Sequence, residues 1–320
     1  MKIAIAFVAA LCAMSSGFAQ AQAWPRKNVR VIVPYGPGSV PDTLARLIFE
    51  NVQKTSGQVV VVENRAGAAG MIGAGAVARA EPDGYTLVLA PAGPLATNAL
   101  LYKKMPYDPL RDLAPVAMVA ETPTVLVAST AVHAGRAADL LAAMRDPSRR
   151  MAYASPGNGT LGHLAMAYLV ALSGGDVPHA PYAGSPQIVS ALIANDVQMA
   201  VLPPLAVAPF IKSGKIDAVA VVGPRRTPML AQVPTLKEQG IDFDPIGWFG
   251  LAAPAATPPA VLQAIHAAVA AALRDPKVVD YYRSQGMDPA DLGPAAFRDY
   301  IARELDRWRP IIVRNAISLD

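Results

Sequence analysis

The residues of this sequence that could do chemistry gather in two short turns. The first, Tyr35-Gly36-Pro37-Gly38-Ser39-Val40-Pro41-Asp42, follows the apolar run Val31-Ile32-Val33 and leads into a helical pattern. The second, Ser155-Pro156-Gly157-Asn158-Gly159-Thr160, follows another apolar run and leads into another helical pattern. A strand–turn–helix junction leaves backbone N–H groups unpaired at the positive end of a helix dipole, which makes a seat for an anion. In the first turn Ser39 stands at the N-cap position, Pro41 in the first helical turn, and Asp42 where it can reach back. The same residues also suit a plainly capped helix. In the second turn Ser155, Asn158 and Thr160 supply hydroxyls and an amide, Gly157 and Gly159 free the backbone, and Thr160 is placed to cap the next helix. Two such seats facing each other would clamp a small anion.

Other chemistries find little support. The first turn lacks the third glycine of a dinucleotide fingerprint, and Pro37 removes a donor. No Gly-Lys-Ser or Gly-Lys-Thr follows it, so it is not a phosphate-binding loop of that type. His163 falls in a first helical turn, where the dipole disfavours protonation, and reads as neutral and structural. A Ser155–His163 nucleophile pair lacks both a Gly-x-Ser-x-Gly elbow and an orienting acid. The four histidines, His133, His163, His179 and His266, are dispersed and show no metal-ligand spacing. No catalytic residue, metal or cofactor is expected; the reading that remains is a binding protein.

The elements that must position the turns alternate in type. Val29–Val33 is an apolar strand. Leu44, Leu47, Ile48 and Val52 follow at helical spacing, and Gly57 is a C-cap candidate. Strands over residues 59–62 and 85–90 flank a Gly/Ala-rich helix within 67–80 that must pack closely on a sheet. The pattern then restarts. Strands are expected at 124–128, 151–154, 177–181, 197–202 and Ile216–Val222, separated by helices at Ala137–Met144, around Leu164 to Leu172, at 185–195 and at 204–213. The last part offers an extended stretch at 248–253, then helices over Pro259–Leu273, 276–285 and 294–315, which most simply return to the first unit. Continuous apolar strands separated by helices predict parallel sheets covered on both faces.

The composition supports an exported globular chain. Its 320 residues are 53% hydrophobic and 16% charged, enough for two domains. Met1-Lys2, an apolar run too short to span a membrane, and Ala21-Gln22-Ala23 before Trp24 read as a signal peptide over residues 1–23, cleaved after Ala23. Its removal takes Lys2 and no acid, lowering the formal charge from +4 to +3, and takes the single cysteine, Cys12. A disulfide-free exported chain suits the bacterial periplasm. The basic residues form only scattered pairs such as Lys103-Lys104 and Arg225-Arg226, so no nucleic acid partner is expected.

Several segments, in order, give the chain a resemblance. They are Trp24-Pro25, the run from Val29 to Pro34, Asp42-Thr43-Leu44-Ala45-Arg46, and Val60-Val61-Val62-Glu63-Asn64-Arg65-Ala66-Gly67. After these come Pro82-Asp83-Gly84-Tyr85-Thr86-Leu87, Leu101-Tyr102-Lys103-Lys104-Met105-Pro106-Tyr107-Asp108-Pro109, the Ser155 to Thr160 turn, Pro181-Tyr182-Ala183-Gly184-Ser185 and Val233-Pro234-Thr235. Together they make the chain similar to the Bug-type periplasmic solute-binding proteins of tripartite tricarboxylate transporters. The resemblance implies an α/β, two-lobed Venus-flytrap fold, each lobe a mostly parallel sheet flanked by helices. Lobe 1 would hold residues 24–124 plus 252–320 and lobe 2 residues 125–251, with hinge crossings near 120–126 and 245–252. It also implies a carboxylate held between the lobes by both turns. The nominated ligand-binding residues are Tyr35, Gly38, Ser39, Val40, Asp42 and Ala92 on one side. On the other they are Ser155, Gly157, Asn158, Thr160, Tyr182 and Gly184. The expected partners are a small carboxylate and the membrane components of such a transporter or, alternatively, a sensor receptor; the chain is expected to act as a monomer.

The departures from the family pattern point one way. Ser39 stands for a second glycine, and Val40 and Pro41 precede Asp42. Ala90-Pro91-Ala92-Gly93-Pro94-Leu95 replaces a hydroxyl-bearing loop, Ala183 replaces a basic residue, and Pro203-Pro204-Leu205 replaces an acid or amide. Most of these remove a donor or acceptor. The expected ligand is therefore a largely apolar or aromatic monocarboxylate rather than a citrate-like anion.

Overall fold

The structure, a computed structural model, describes residues 24–182 and 184–319. The expected signal peptide and its cleavage site, and Ala183, lie outside the described residues.

The chain opens with β1 (Val29–Val33), α1 (Val40–Ser56), β2 (Val60–Asn64), α2 (Met71–Ala78) and β3 (Thr86–Pro91). β1 is buried on both faces, which is why it reads as unbroken apolar sequence. Val29, Val31 and Val33 pack under Leu44, Ile48, Phe49 and Val52 of α1. Ile32 faces the other way, into Met71, Ala74 and Val77 of α2. α1 stops at Gly57, which adopts φ 72° and returns its N–H to Gln53 O. α2 lies so close to the sheet that a Cβ on Gly73 would sit 2.8 Å from Pro34 Cβ.

A helical turn at Gly93–Thr97 runs into α3 (Asn98–Leu101), and α4 (Pro109–Asp112) precedes β4 (Leu113–Thr122). Across Pro123 the chain enters a second sheet with β5 (Thr124–Ser129), α5 (Ala137–Met144), β6 (Tyr153–Ser155), α6 (Leu161–Ser173) and β7 (His179–Pro181). That unit is completed by α7 (Ser185–Ala194), β8 (Met199–Leu202), α8 (Pro204–Lys212) and β9 (Ile216–Val222). The chain then returns through β10 (Gly247–Pro254), α9 (Pro259–Leu273), α10 (Pro276–Ser284), β11 (Asp288–Leu292) and α11 (Pro294–Arg314).

The first sheet has the order β11-β4-β10-β3-β1-β2 and the second β7-β6-β8-β5-β9. Both are mixed, with most strands running one way as expected and β10, β11 and β5 reversed. β3, β1 and β2 run parallel, as do β7, β6 and β8, whereas β10, β11 and β5 pair antiparallel with their neighbours. The cause is the crossing itself. β3 and β4 leave the first sheet at the end where β10 enters it, as the pairs Phe249–Pro91 and Gly247–Thr122 show, so β10 must run against both. The carboxyl ends of the parallel strands in both sheets therefore meet at the crossings, where ligands of α/β proteins bind.

β11 carries no strand signal of its own, and Pro115 interrupts that of β4; β4 pairs with β10 and β11 with β4. α11 does not belong to one sheet alone. Its Phe297, Ile301 and Leu305 pack with the first sheet. Its Trp308, Ile311 and Ile312 pack with Leu164, Leu169 and Phe243 of the second.

Candidate functional site

A cavity of about 330 Å³ lies between the two sheets. From the first sheet Tyr35 after β1 and Ala92-Gly93 after β3 reach it. From the second come Asn158 and Thr160 and the first two residues of α6, Leu161 and Gly162. Thr122, Thr124 and Trp248 of the crossing strands form its floor, with Glu304 and Trp308 of α11 beside them. The first N–H groups of a helix have no partner inside the helix, so α6 presents donors and a positive dipole end to this space.

Of the expected ligand residues, Tyr35, Ala92, Asn158 and Thr160 are thus brought together around one cavity. Gly38, Ser39, Val40, Asp42, Ser155, Gly157, Tyr182 and Gly184 do not line it. The reasons are local. Asp42 is turned inward: Oδ2 accepts the Gly38 N–H at 2.9 Å and Arg46 Nε at 3.2 Å, and Oδ1 accepts Asn64 Nδ2 at 2.9 Å. Burial alone would raise its pKa, but those bonds from Arg46, Gly38 and Asn64 outweigh it and hold the carboxyl below its usual range. Asn64 Nδ2 also donates to Tyr35 O at 3.0 Å, so Asp42 and Asn64 together fix the loop that carries Tyr35. Ser39 occupies the N-cap position, yet its side chain makes no capping bond, and its Oγ is buried without a partner. Val40 is exposed.

The second turn is braced from behind. Ser155 is fully buried; its Oγ donates to Gly157 O at 2.9 Å, and Thr160 Oγ1 donates to the same carbonyl at 2.8 Å. Thr160 Oγ1 accepts the His163 N–H at 3.3 Å, so this residue caps α6 as expected. The Gly159 N–H donates to His163 Nδ1 at 3.0 Å, and His179 Nε2 lies 2.8 Å from Ser155 Oγ. With the Ser155 proton given to Gly157, the network assigns the His179 proton to Nε2. The two imidazoles stack at 4.0 Å, with Tyr153 at 4.9 Å from His179. Burial, then the neighbouring His179, pushes His163 down to about 4; burial also lowers His179. Tyr182 donates its N–H to Ser155 O at 3.0 Å and so steadies β6, while Gly184 precedes α7 in an extended conformation.

The cavity is electrically sparse. Among the described residues that line it there is no Lys, Arg or His, and the one charged side chain is Glu304. Glu304 is 4% exposed. Its Oε2 accepts Trp308 Nε1 at 3.1 Å and its Oε1 pairs with Arg307 at 3.2 Å. Burial raises its pKa by more than Arg307 and the two indoles lower it. Burial, helped by Tyr102, pushes the Tyr35 phenol up to about 12, so this wall is a neutral hydroxyl. Ala92 and Pro203 make other walls apolar.

Glu304, Trp248 and Trp308 escape a reading of the two turns. One signal for Glu304 is in the sequence: it sits on the apolar helical stripe of Phe297, Ile301, Trp308 and Ile311, where an acid must have a partner.

Comparison with known proteins agrees with this geometry. Residues 44–317 match the family TctC, described as "Tripartite tricarboxylate transporter family receptor". The chain is 33% identical to Protein BugT of Bordetella pertussis over 301 residues, covering 93% of this chain and 92% of that protein. Among solved structures, Rpa4515 of R. palustris with adipate shares 30% identity at TM-score 0.76, over 92% of this chain and 99% of that one. MatC of Rhodopseudomonas palustris with bound malate shares 29% identity at TM-score 0.73, over 90% and 100%. These similar proteins are substrate-binding proteins and not enzymes, as the sequence also led us to expect. The chain belongs to the tripartite tricarboxylate transporter receptor family.

Proposed function

We propose that this protein captures a small monocarboxylate in the periplasm and delivers it to the membrane components of a tripartite tricarboxylate-type transporter. The observation that carries this reading is the cavity itself. It lies at the carboxyl ends of parallel strands from two sheets, receives the N-terminus of α6, and contains no basic side chain among its described lining residues. A carboxylate there is held by backbone N–H groups at the start of α6 and by the Tyr35 hydroxyl, as charge-assisted bonds. The body of the ligand meets Trp248, Phe249 and Trp308.

Adipate and malate, held by two similar proteins, carry two carboxylates. Here a second ionised carboxylate inside the cavity would find no cation and would share the space with Glu304, an arrangement costing about 1–3 kcal/mol or more. The two sheets act as the cores of two jaws, moving about the crossings near 120–126 and 245–252. Titration calorimetry with hexanoate, adipate and citrate tests the reading: affinity should fall in that order, and tighter binding of citrate than of hexanoate contradicts it.

A further inference from the structure

The chain beyond α11 turns back toward the cavity. Ala316 adopts φ 48° and donates its N–H to Val313 O at 3.2 Å, and the Ile317 N–H donates to Ile312 O at 3.0 Å. This pair of bonds is a common reversal at a helix end, and it adds Ile317 to the apolar cluster that holds Ile312. Glycine normally takes the left-handed position, since a Cβ there is strained. An alanine keeps that conformation where the segment beyond it is fixed. Here the Leu319 N–H donates to Leu101 O at 2.9 Å. Leu101 belongs to α3, in the segment that follows β3 of the first sheet. Its Cδ1 and that of Leu319 both lie against Gly159 of the second turn, where an added Cβ would sit 2.8 Å from each. Residues 316–319 thus form a strap, and Leu319 lines the cavity together with Gly159, Leu161 and Gly162.

We propose that Leu319 is a specificity-determining residue: it walls the cavity beside the carboxylate seat and limits how wide the ligand can be next to its carboxyl group. This deepens the monocarboxylate reading and rests on it. The placement follows from the chain. Leu319 packs on Gly159, two residues before Leu161, whose N–H is among the first donors of α6. A carboxylate on those donors brings its first carbons to the strap. An unbranched acid asks there for the width of a single chain. A branch at the carbon next to the carboxyl needs the space that the Leu319 side chain fills. The bond to Leu101 O comes from the Leu319 backbone, so the side chain can be changed while that anchor stays.

The test uses two isomers, hexanoate and 2-ethylbutanoate, which share one carboxylate and the same carbon number and differ in the branch beside the carboxyl. Each is titrated calorimetrically into the wild type, Leu319→Ala and Leu319→Met. The wild type should favour hexanoate. Leu319→Ala opens space at that wall, so the affinity ratio should move towards 2-ethylbutanoate by about tenfold, as expected for burying roughly two more carbons. Leu319→Met, close to leucine in volume, should keep the wild-type ratio. Should Leu319→Ala fail to fold, Leu319→Val decides, moving the ratio the same way by about threefold. A side chain that merely anchors the strap would instead make Leu319→Ala weaken both isomers alike. A ratio unmoved in the smaller variants, or moved as far in Leu319→Met, overturns the proposal. If both acids bind and the ratio stays in place, this inference alone fails. If neither acid binds the wild type, the monocarboxylate reading fails with it.

Discussion

Ser155 Oγ lies 2.8 Å from His179 Nε2 and 2.9 Å from Gly157 O, so its hydroxyl is spent inside the second turn. The residue that looks most like a ligand contact instead shapes the loop that presents Asn158 and Thr160. Ser155→Ala should therefore lower stability by about 1–2 kcal/mol, because a buried imidazole N–H loses its acceptor, and weaken ligand binding as the turn loosens. Urea unfolding and calorimetric titration of the same sample check both; unchanged stability contradicts the bracing role.

His163 gives that turn a pH dependence. Its pKa is about 4 in the folded protein against 6.5 as the ordinary value. Between those values the unfolded chain binds a proton that the folded chain refuses. The contribution is thus whole above pH 6.5 and is lost as pH falls towards 4, amounting to about 3 kcal/mol. His163→Asn keeps an acceptor for the Gly159 N–H without the titration. Wild type should lose more stability than this variant between pH 7 and pH 4; parallel curves contradict the assignment.

Asp42 and Ser39 are neighbours with opposite duties. Asp42→Asn removes an ionised acceptor from Arg46, Gly38 and Asn64 and should cost about 1–3 kcal/mol of stability. Ser39→Ala removes a buried hydroxyl that bonds nothing and does not line the cavity, so it should lower neither stability nor affinity for the carboxylate. Thermal melts and titrations of the two variants separate these outcomes; a destabilised Ser39→Ala would contradict the split.

Gly159 and Gly38 both need positive φ, at 73° and 77°, but their surroundings differ. A Cβ on Gly159 would meet Leu101 Cδ1 and Leu319 Cδ1, each at 2.8 Å, whereas the space around Gly38 is open. Both alanine variants carry the backbone cost of about 1 kcal/mol. Gly159→Ala should cost more and should also disturb the tail, where the Leu319 N–H donates to Leu101 O. Equal chemical denaturation midpoints for the two variants would contradict this.

What the sequence made legible is local. α5 and α9 begin and end where apolar spacing and flanking signals put them, and Gly57 and Gly174 end their helices in the left-handed conformation. β4 was hidden because Pro115 interrupts it, at a place where its pairing with β10 shifts register. β11, Asp-Pro-Ala-Asp-Leu, has no strand propensity and exists through its partner β4. The turns at the cleft were visible because glycines and hydroxyls mark them. The floor was not: Trp248 and Glu304 are 56 residues apart in the chain and meet only because α11 packs across both sheets. His179 was missed for the same reason, since β6 and β7 place it beside Ser155 only after pairing.

The cavity between Tyr35 and Thr160 should hold an acid with a single carboxylate. Mass spectrometry of the small molecule released from protein purified out of its native host tests it most directly. The predicted result is a bound acid carrying one carboxyl group, released at one equivalent per chain. Recovery of a tricarboxylate, or of a ligand with no carboxyl group, would contradict it.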